Sequence, residues 1–168
     1  MTPKDFVAAF LPDAKQMEAE TGFSAIAVLT QGALESGWGK FMPGNMMFGV
    51  KDTDGVNGNE QLLTTTEYSR RSDLKFPIII SVTPCLRNGQ KYFKYKIKDY
   101  FRKYDTVKDC FVDHIKFFQT NPRYATALKV RGDANLFFDE ISKAGYATDP
   151  NYSDTLKAVA KSVERQIV

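Results

Sequence analysis

Two hydrophobic periods alternate along this chain, and they divide it into helix, sheet and helix. Phe6, Ala9, Phe10, Ala14 and Met17 recur at the spacing of one helical face. Thr2, Pro3 and Asp5 precede them as a cap, a proline whose missing N–H is not needed in a first turn, and the acid of a capping box. Pro12 predicts a break or kink in this run, and Gly22 its end. Ser24 then caps a second helix with Ile26, Leu29, Ala33 and Leu34 as its apolar contacts and Gly37 as its stop.

From Gly44 to Asn59 the residues are those of loops. The period then shortens. Leu62 to Tyr68 is threonine-rich and strand-like, and Phe76 to Leu86 is rich in β-branched residues. Asn88-Gly89 predicts a two-residue hairpin turn. Beyond it Phe93, Tyr95 and Ile97 alternate with Lys94, Lys96 and Lys98, which gives a small antiparallel sheet with one basic face. Pro77 and Pro84 belong on an edge or at a bulge.

Helical spacing returns with Val107, Phe111, Ile115 and Phe118, capped by Thr106 and stopped at Asn121-Pro122. Asp133 caps a short helix through Leu136, Phe137 and Ile141 that ends at Gly145. Ser153 is the predicted cap of the last helix, whose Leu156, Val159, Ala160, Val163 and Ile167 face the core. The order predicts an α+β fold over a single domain, residues 1–168, with a β lobe at about 60–101 and a cleft where the sheet leaves the helical lobe.

Composition adds limits to this picture. With 43% hydrophobic and 26% charged residues, the chain has the make-up of a soluble globular protein, long enough to bury a core without staples. The start lacks the basic and apolar regions of a signal peptide, and no run approaches membrane-spanning length. The net charge of +3 hides a basic middle third that includes Arg70, Arg71, Lys75, Lys91, Lys94, Lys96 and Lys98. A solvated face and a surface that follows an anionic polymer both fit it. Cys85 and Cys110 fit a disulfide or two small thiols, and one histidine without ligand-like spacing argues against a metal site. Asp52 to Asn57 imitates the start of a calcium loop, but Val56 stands at a ligand position and Asn57 where the turn glycine belongs.

The candidate chemistry centres on Glu35. It falls in the last turn of the second helix, beside the buried stripe, with small and apolar neighbours. Desolvation and the negative end of the helix dipole both disfavour its charge, which suits a general acid; a solvated helix-end glutamate is the plainer alternative. Glycosidic hydrolysis needs such an acid and a second group, and Glu67 on the sheet lobe is the available carboxylate.

Six segments carry a resemblance. Gln31 to Lys40 reads Gln-Gly-Ala-Leu-Glu-Ser-Gly-Trp-Gly-Lys, and Asn45 to Lys51 reads Asn-Met-Met-Phe-Gly-Val-Lys. Thr65-Thr66-Glu67-Tyr68, Phe101-Arg102-Lys103-Tyr104, Asn121-Pro122-Arg123-Tyr124 and the stretch Gly145 to Tyr152 follow in order. Together they resemble the lysozyme-like endo-β-N-acetylglucosaminidases of glycoside hydrolase family 73, which include the C-terminal domain of the flagellar peptidoglycan hydrolase.

The resemblance implies a lysozyme-like fold and a peptidoglycan hydrolase that cuts after N-acetylglucosamine without a cofactor. It implies Glu35 as general acid, Glu67 as the second carboxylate and Tyr146 beside the acid. Trp38, Asn45, Phe48, Tyr124 and Tyr152 are its implied substrate contacts, the aromatic ones offering ring faces where they are not core. Two departures stand out: Met46-Met47 where the family has one leucine, and a longer basic segment between Tyr68 and Phe101. A muramidase or lytic transglycosylase of the same fold, and a wall-binding module without chemistry, are the rivals. Nucleic acid is not the expected partner, despite the cations and rings of Tyr92 to Lys98. The chain is expected to act on glycan strands in the periplasm or cell wall. The expected setting is a toxin delivered by type VI secretion, with an inhibitor protein filling the cleft.

Overall fold

The structure is a computed structural model and describes residues 1–167. It contains two compact units, one of residues 1–48 with the chain from Tyr104 onward, the other Gly49–Lys103. The helical unit opens with α1, Pro3–Thr21, capped by Thr2 and Asp5 in the predicted box and closed by Gly22 at φ 74°. Pro12 does not break it. The helix runs through, with Phe6, Val7, Phe10, Ala14 and Met17 buried along one face. Pro12 and Ala8 lie on the exposed side, so the carbonyl that loses its N–H partner faces water.

The second helix, α2, spans Ala25–Ser36 between Ser24 and Gly37. Its burial is not confined to a stripe: Ala25, Ala27, Val28, Leu29, Thr30, Gln31, Gly32 and Ala33 are all buried, because α2 is the unit's central helix. Gly32 has a packing reason, since a Cβ there would come within 2.9 Å of Met47 Sδ. After the sheet unit the chain forms α3, Val107–Thr120, then α4, Ala125–Lys129, α5, Ala134–Lys143, and α6, Tyr152–Glu164. Helix α2 packs against α1, α5 and α6.

Two expectations for α6 need correction. The helix starts at Tyr152, after Asn151, and Ser153 is inside it with its hydroxyl donating to Asp139. Leu156, Ala160 and Val163 are buried as expected, but Ile167 lies beyond the helix and is exposed.

The sheet unit contains β1, Glu60–Ser69, β2, Ile78–Arg87, and β3, Gln90–Arg102, all antiparallel in the order β1-β3-β2. Asn88 and Gly89 join β2 to β3 with φ values of 50° and 73°, the left-handed pair that the two-residue turn requires. β2 is an edge strand, which accommodates Pro84, and its register shifts between Ile79 and Ser81. Tyr95, Ile97 and Phe101 are the buried residues of the unit among those described. Tyr95 ties the β1–β2 connection down by donating its hydroxyl proton to the Arg71 carbonyl at 2.7 Å. Cys85 on β2 and buried Cys110 on α3 are free thiols.

Candidate active site

Glu35 occupies the penultimate position of α2, and the backbone leaves the helix abruptly just after it. Gly37, Trp38 and Gly39 are all left-handed, at φ 58°, 59° and 73°. For tryptophan that conformation costs about 1–2 kcal/mol. It is held by the Trp38 N–H, which donates to the Ala33 carbonyl at 2.8 Å, and by a T-shaped contact of the indole with the Phe6 ring, centroids 5.7 Å apart. Ser36 adds a bridge, donating to Gly32 O and accepting from Gly39 N.

The Glu35 side chain keeps an exposed edge, yet surrounding protein raises its carboxyl above the usual carboxylate range, desolvation being the larger effect. One hydrogen bond opposes this: the Tyr152 hydroxyl donates to Glu35 Oε1 at 3.2 Å. Behind Tyr152 lies a buried polar chain. Gln31 Nε2 donates to the Tyr152 oxygen at 3.5 Å, and Gln31 Oε1 faces His114 Nε2 at 2.9 Å. An amide oxygen accepts, so His114 donates from Nε2. Burial pushes the His114 pKa down to about 3, so the ring is neutral near neutral pH. Phe48 stacks on that ring at 3.7 Å and 6°.

Rings line the same region. Tyr146 stacks on Tyr152 at 5.6 Å and 20°, and on Phe118 at 5.6 Å and 28°. Burial, then charge repulsion from the ionisable groups of Tyr152, Glu35 and Tyr124, drives the Tyr146 phenol pKa upward. Burial is also the first cause of the upward shift at Tyr152, so both phenols stay protonated donors. Tyr124 is only 2% exposed and packs among Phe117, Phe118 and Tyr146, which leaves it almost no free ring face. Its place is the supporting wall. Asn45 is likewise engaged: its amide donates to the carbonyls of Tyr104 and Asp105 at 2.9 and 3.0 Å, which fixes the loop that carries Phe48.

Glu67 belongs to the sheet unit, on the β1 face shared with Tyr95 and Ile97 of β3. Lys51 Nζ lies 2.7 Å from Glu67 Oε1 and 3.0 Å from Asp99 Oδ2. Partial burial works against the Lys51 charge, but the hydrogen bonds and fields of the two acids outweigh it and raise its pKa. Among the described residues no group of three or more His, Cys, Asp or Glu is placed to hold a metal ion.

The structure thus joins Glu35, Tyr146 and Tyr152 in one cluster, with Tyr152 rather than Tyr146 bonded to the acid. Sequence reasoning gave no role to Gln31, His114 or Lys51. Gln31 had a signal, standing one helical turn before Glu35 and on the same face. Lys51 closes one of the segments that carry the resemblance, and His114 had no signal beyond its own chemistry.

Residues 11–165 match the model of the glucosaminidase family, described as mannosyl-glycoprotein endo-beta-N-acetylglucosaminidase. The peptidoglycan hydrolase FlgJ of Vibrio parahaemolyticus is 30% identical over 97% of this chain and 48% of its own length. This chain spans less than half the length of the curated relatives it matches. Among solved structures, a C-terminally truncated glycoside hydrolase domain of Salmonella typhimurium FlgJ matches with a TM-score of 0.70 at 30% identity, over 97% of this chain and 98% of that one. The catalytic domain of the Listeria monocytogenes autolysin Auto, 20% identical, has the same fold at a TM-score of 0.72 over 99% of this chain and 88% of its own. The mainly helical unit and small antiparallel sheet are therefore the lysozyme-like arrangement that the sequence predicts, and the chain belongs to the glucosaminidase family of glycoside hydrolases.

Proposed function

We propose that this chain hydrolyses peptidoglycan, cutting the β-1,4 bond after N-acetylglucosamine. The observation that carries the reading is the Glu35 carboxyl, whose pKa desolvation raises and to which the Tyr152 hydroxyl donates. In this mechanism Glu35 protonates the leaving oxygen as the sugar acquires cation-like character. Glu67 is the base for the attacking water, held through Oε1 by Lys51. If the substrate's own N-acetyl group captures the cation instead, Glu35 alone is essential. Tyr146 and Tyr152 are protonated donors beside the reacting ring. Trp38 and Phe48, both half-buried, are the sugar platforms, with Asn45 and Tyr124 supporting them.

The names of the FlgJ relatives support peptidoglycan as the substrate and the cell wall as the place of action. Neither the fold nor the relatives support delivery as an antibacterial effector with an inhibitor partner, and that setting is not part of the reading.

The test is mass spectrometry of borohydride-reduced fragments released from purified peptidoglycan by the wild type, Glu35→Gln and Glu67→Gln. Reduced N-acetylglucosamine ends, lost by about a hundredfold or more in Glu35→Gln, are expected. Reduced muramic ends would make the enzyme a muramidase, and anhydro ends a transglycosylase. A folded wild type that releases nothing would make the chain a binding module. A Glu67→Gln enzyme with most of its activity would assign the capture step to the substrate.

A further inference from the structure

We propose that the exposed face of the three-stranded sheet binds the carboxylate-bearing stem peptides of peptidoglycan, an inference that rests on the hydrolase reading above. Lys94, Lys96 and Lys98 share one face of the central strand β3, roughly 7 Å apart along it. Their register partners on β1 are Tyr68, Thr66 and Thr64, and on β2 Thr83, Ser81 and Ile78. The row of ammonium groups thus stands mostly among short hydroxyl side chains. At its hairpin end Arg87 lies 4.2 Å over the Tyr68 ring and Arg70 5.5 Å over the Tyr92 ring, extending the positive surface.

The one carboxylate on the strand positions of the lysine face, Glu60, stands at its far end in register with Arg102. The carboxylates of Glu67 and Asp99 alternate onto the opposite side, where Lys51 pairs with both. Among the described residues none of Lys94, Lys96 and Lys98 has an ion-pair partner. Residues 49–103 carry eleven lysines and arginines against six acids, a net +5, while the whole chain is only +3.

A row of lysines among hydroxyl side chains on one sheet face spreads its charge along the strand rather than around a point. It suits an extended ligand that presents several carboxylates at variable height, because lysine ammoniums on flexible stems act as separate point charges. Uncut peptidoglycan has that form: a neutral glycan backbone with acidic peptides along its length. The face would hold the enzyme on wall that still carries its peptides.

The test uses the full chain with Glu35→Gln, so that the wall survives, and measures sedimentation with intact sacculi and with glycan strands stripped of peptide, whose freed lactyl carboxylates are capped as methyl amides. Adding Lys94→Gln, Lys96→Gln and Lys98→Gln is expected to weaken sacculus binding at low salt by about tenfold or more and to flatten its salt dependence. Binding to stripped glycan is expected to be equal in the two proteins. The Lys→Arg triple is expected to keep the affinity, and Lys96→Glu alone to lose severalfold, so the reading does not depend on one variant folding. Neutralising Lys4, Lys129 and Lys161 removes the same charge elsewhere and is expected to leave binding intact.

Sacculus binding that survives the Gln triple, or that falls equally in the control triple, overturns the proposal. So does tighter binding to a poly(glycerol phosphate) or an oligonucleotide than to sacculi, which would assign the face to phosphate polymers. Failure of the parent to bind stripped glycan would strike the hydrolase reading as well. Binding to stripped glycan with no difference between the lysine variants on sacculi would strike this inference alone.

Discussion

A carboxyl works as a general acid near neutral pH only where its environment keeps the proton on, and at Glu35 two opposed effects set that balance. Desolvation raises the pKa, while the Tyr152 hydroxyl, which bonds the carboxylate better than the acid, lowers it. Tyr152→Phe removes the second effect and the orienting donor together. Its maximal rate is expected to fall about tenfold, the worth of a hydrogen bond to a charged group. The alkaline limb of its pH–rate profile is expected to move to higher pH, because the bond that favoured ionisation is gone. A rate loss with an unmoved limb would reduce Tyr152 to packing. The place of Glu35 in the last turn of its helix was legible from the cap and stop residues around it, while its role as an acid came from the resemblance alone. The bond to Tyr152 was not legible, because Ser153 is the stronger cap by composition and placing the helix start there leaves Tyr152 in a loop. The helix in fact begins at Tyr152, which sets the phenol on the first turn of α6.

At the scale of elements, two local rules competed and burial decided between them. A proline inside a helix costs about 3 kcal/mol, which is why Pro12 predicted a break. Against it stand Phe6, Val7, Phe10 and Met17, each worth roughly 1.5–3 kcal/mol when buried, so the continuous helix wins. The cost is still present in the folded state. Pro12→Ala is expected to stabilise the protein by about 1–3 kcal/mol, read as a higher midpoint in thermal or urea unfolding; an unchanged midpoint would show that α1 relaxes around the ring. The hairpin shows the opposite case. Asn88-Gly89 was legible to the residue because a two-residue turn demands left-handed backbone, a local demand that no tertiary contact overrides. β2 was legible as a strand but not as an exposed one: Ile78, Ile79, Ile80 and Val82 are β-branched, which favours the extended backbone wherever the side chains end up.

For the whole molecule, the order of periods along the sequence was enough to read helices, sheet and helices, but not how unevenly the two units are packed. The helical unit buries residues from α1, α2, α3, α5 and α6 in one core. The sheet unit buries Tyr95, Ile97 and Phe101 among its described residues, and on β1 even the inner positions, Leu63, Thr65 and Glu67, are only half-covered. Strand pairing alone stabilises a small sheet weakly, so the opening free energy should differ between the units. Native-state hydrogen exchange across a denaturant series is expected to show the amides of β1, β2 and β3 exchanging through a sub-global opening while α2 stays protected up to global unfolding. The alternative outcome is equally readable. If the strand amides and those of α2 converge on one opening free energy at all denaturant concentrations, the sheet is stabilised by more than its own three buried side chains, and the chain unfolds as a single cooperative body.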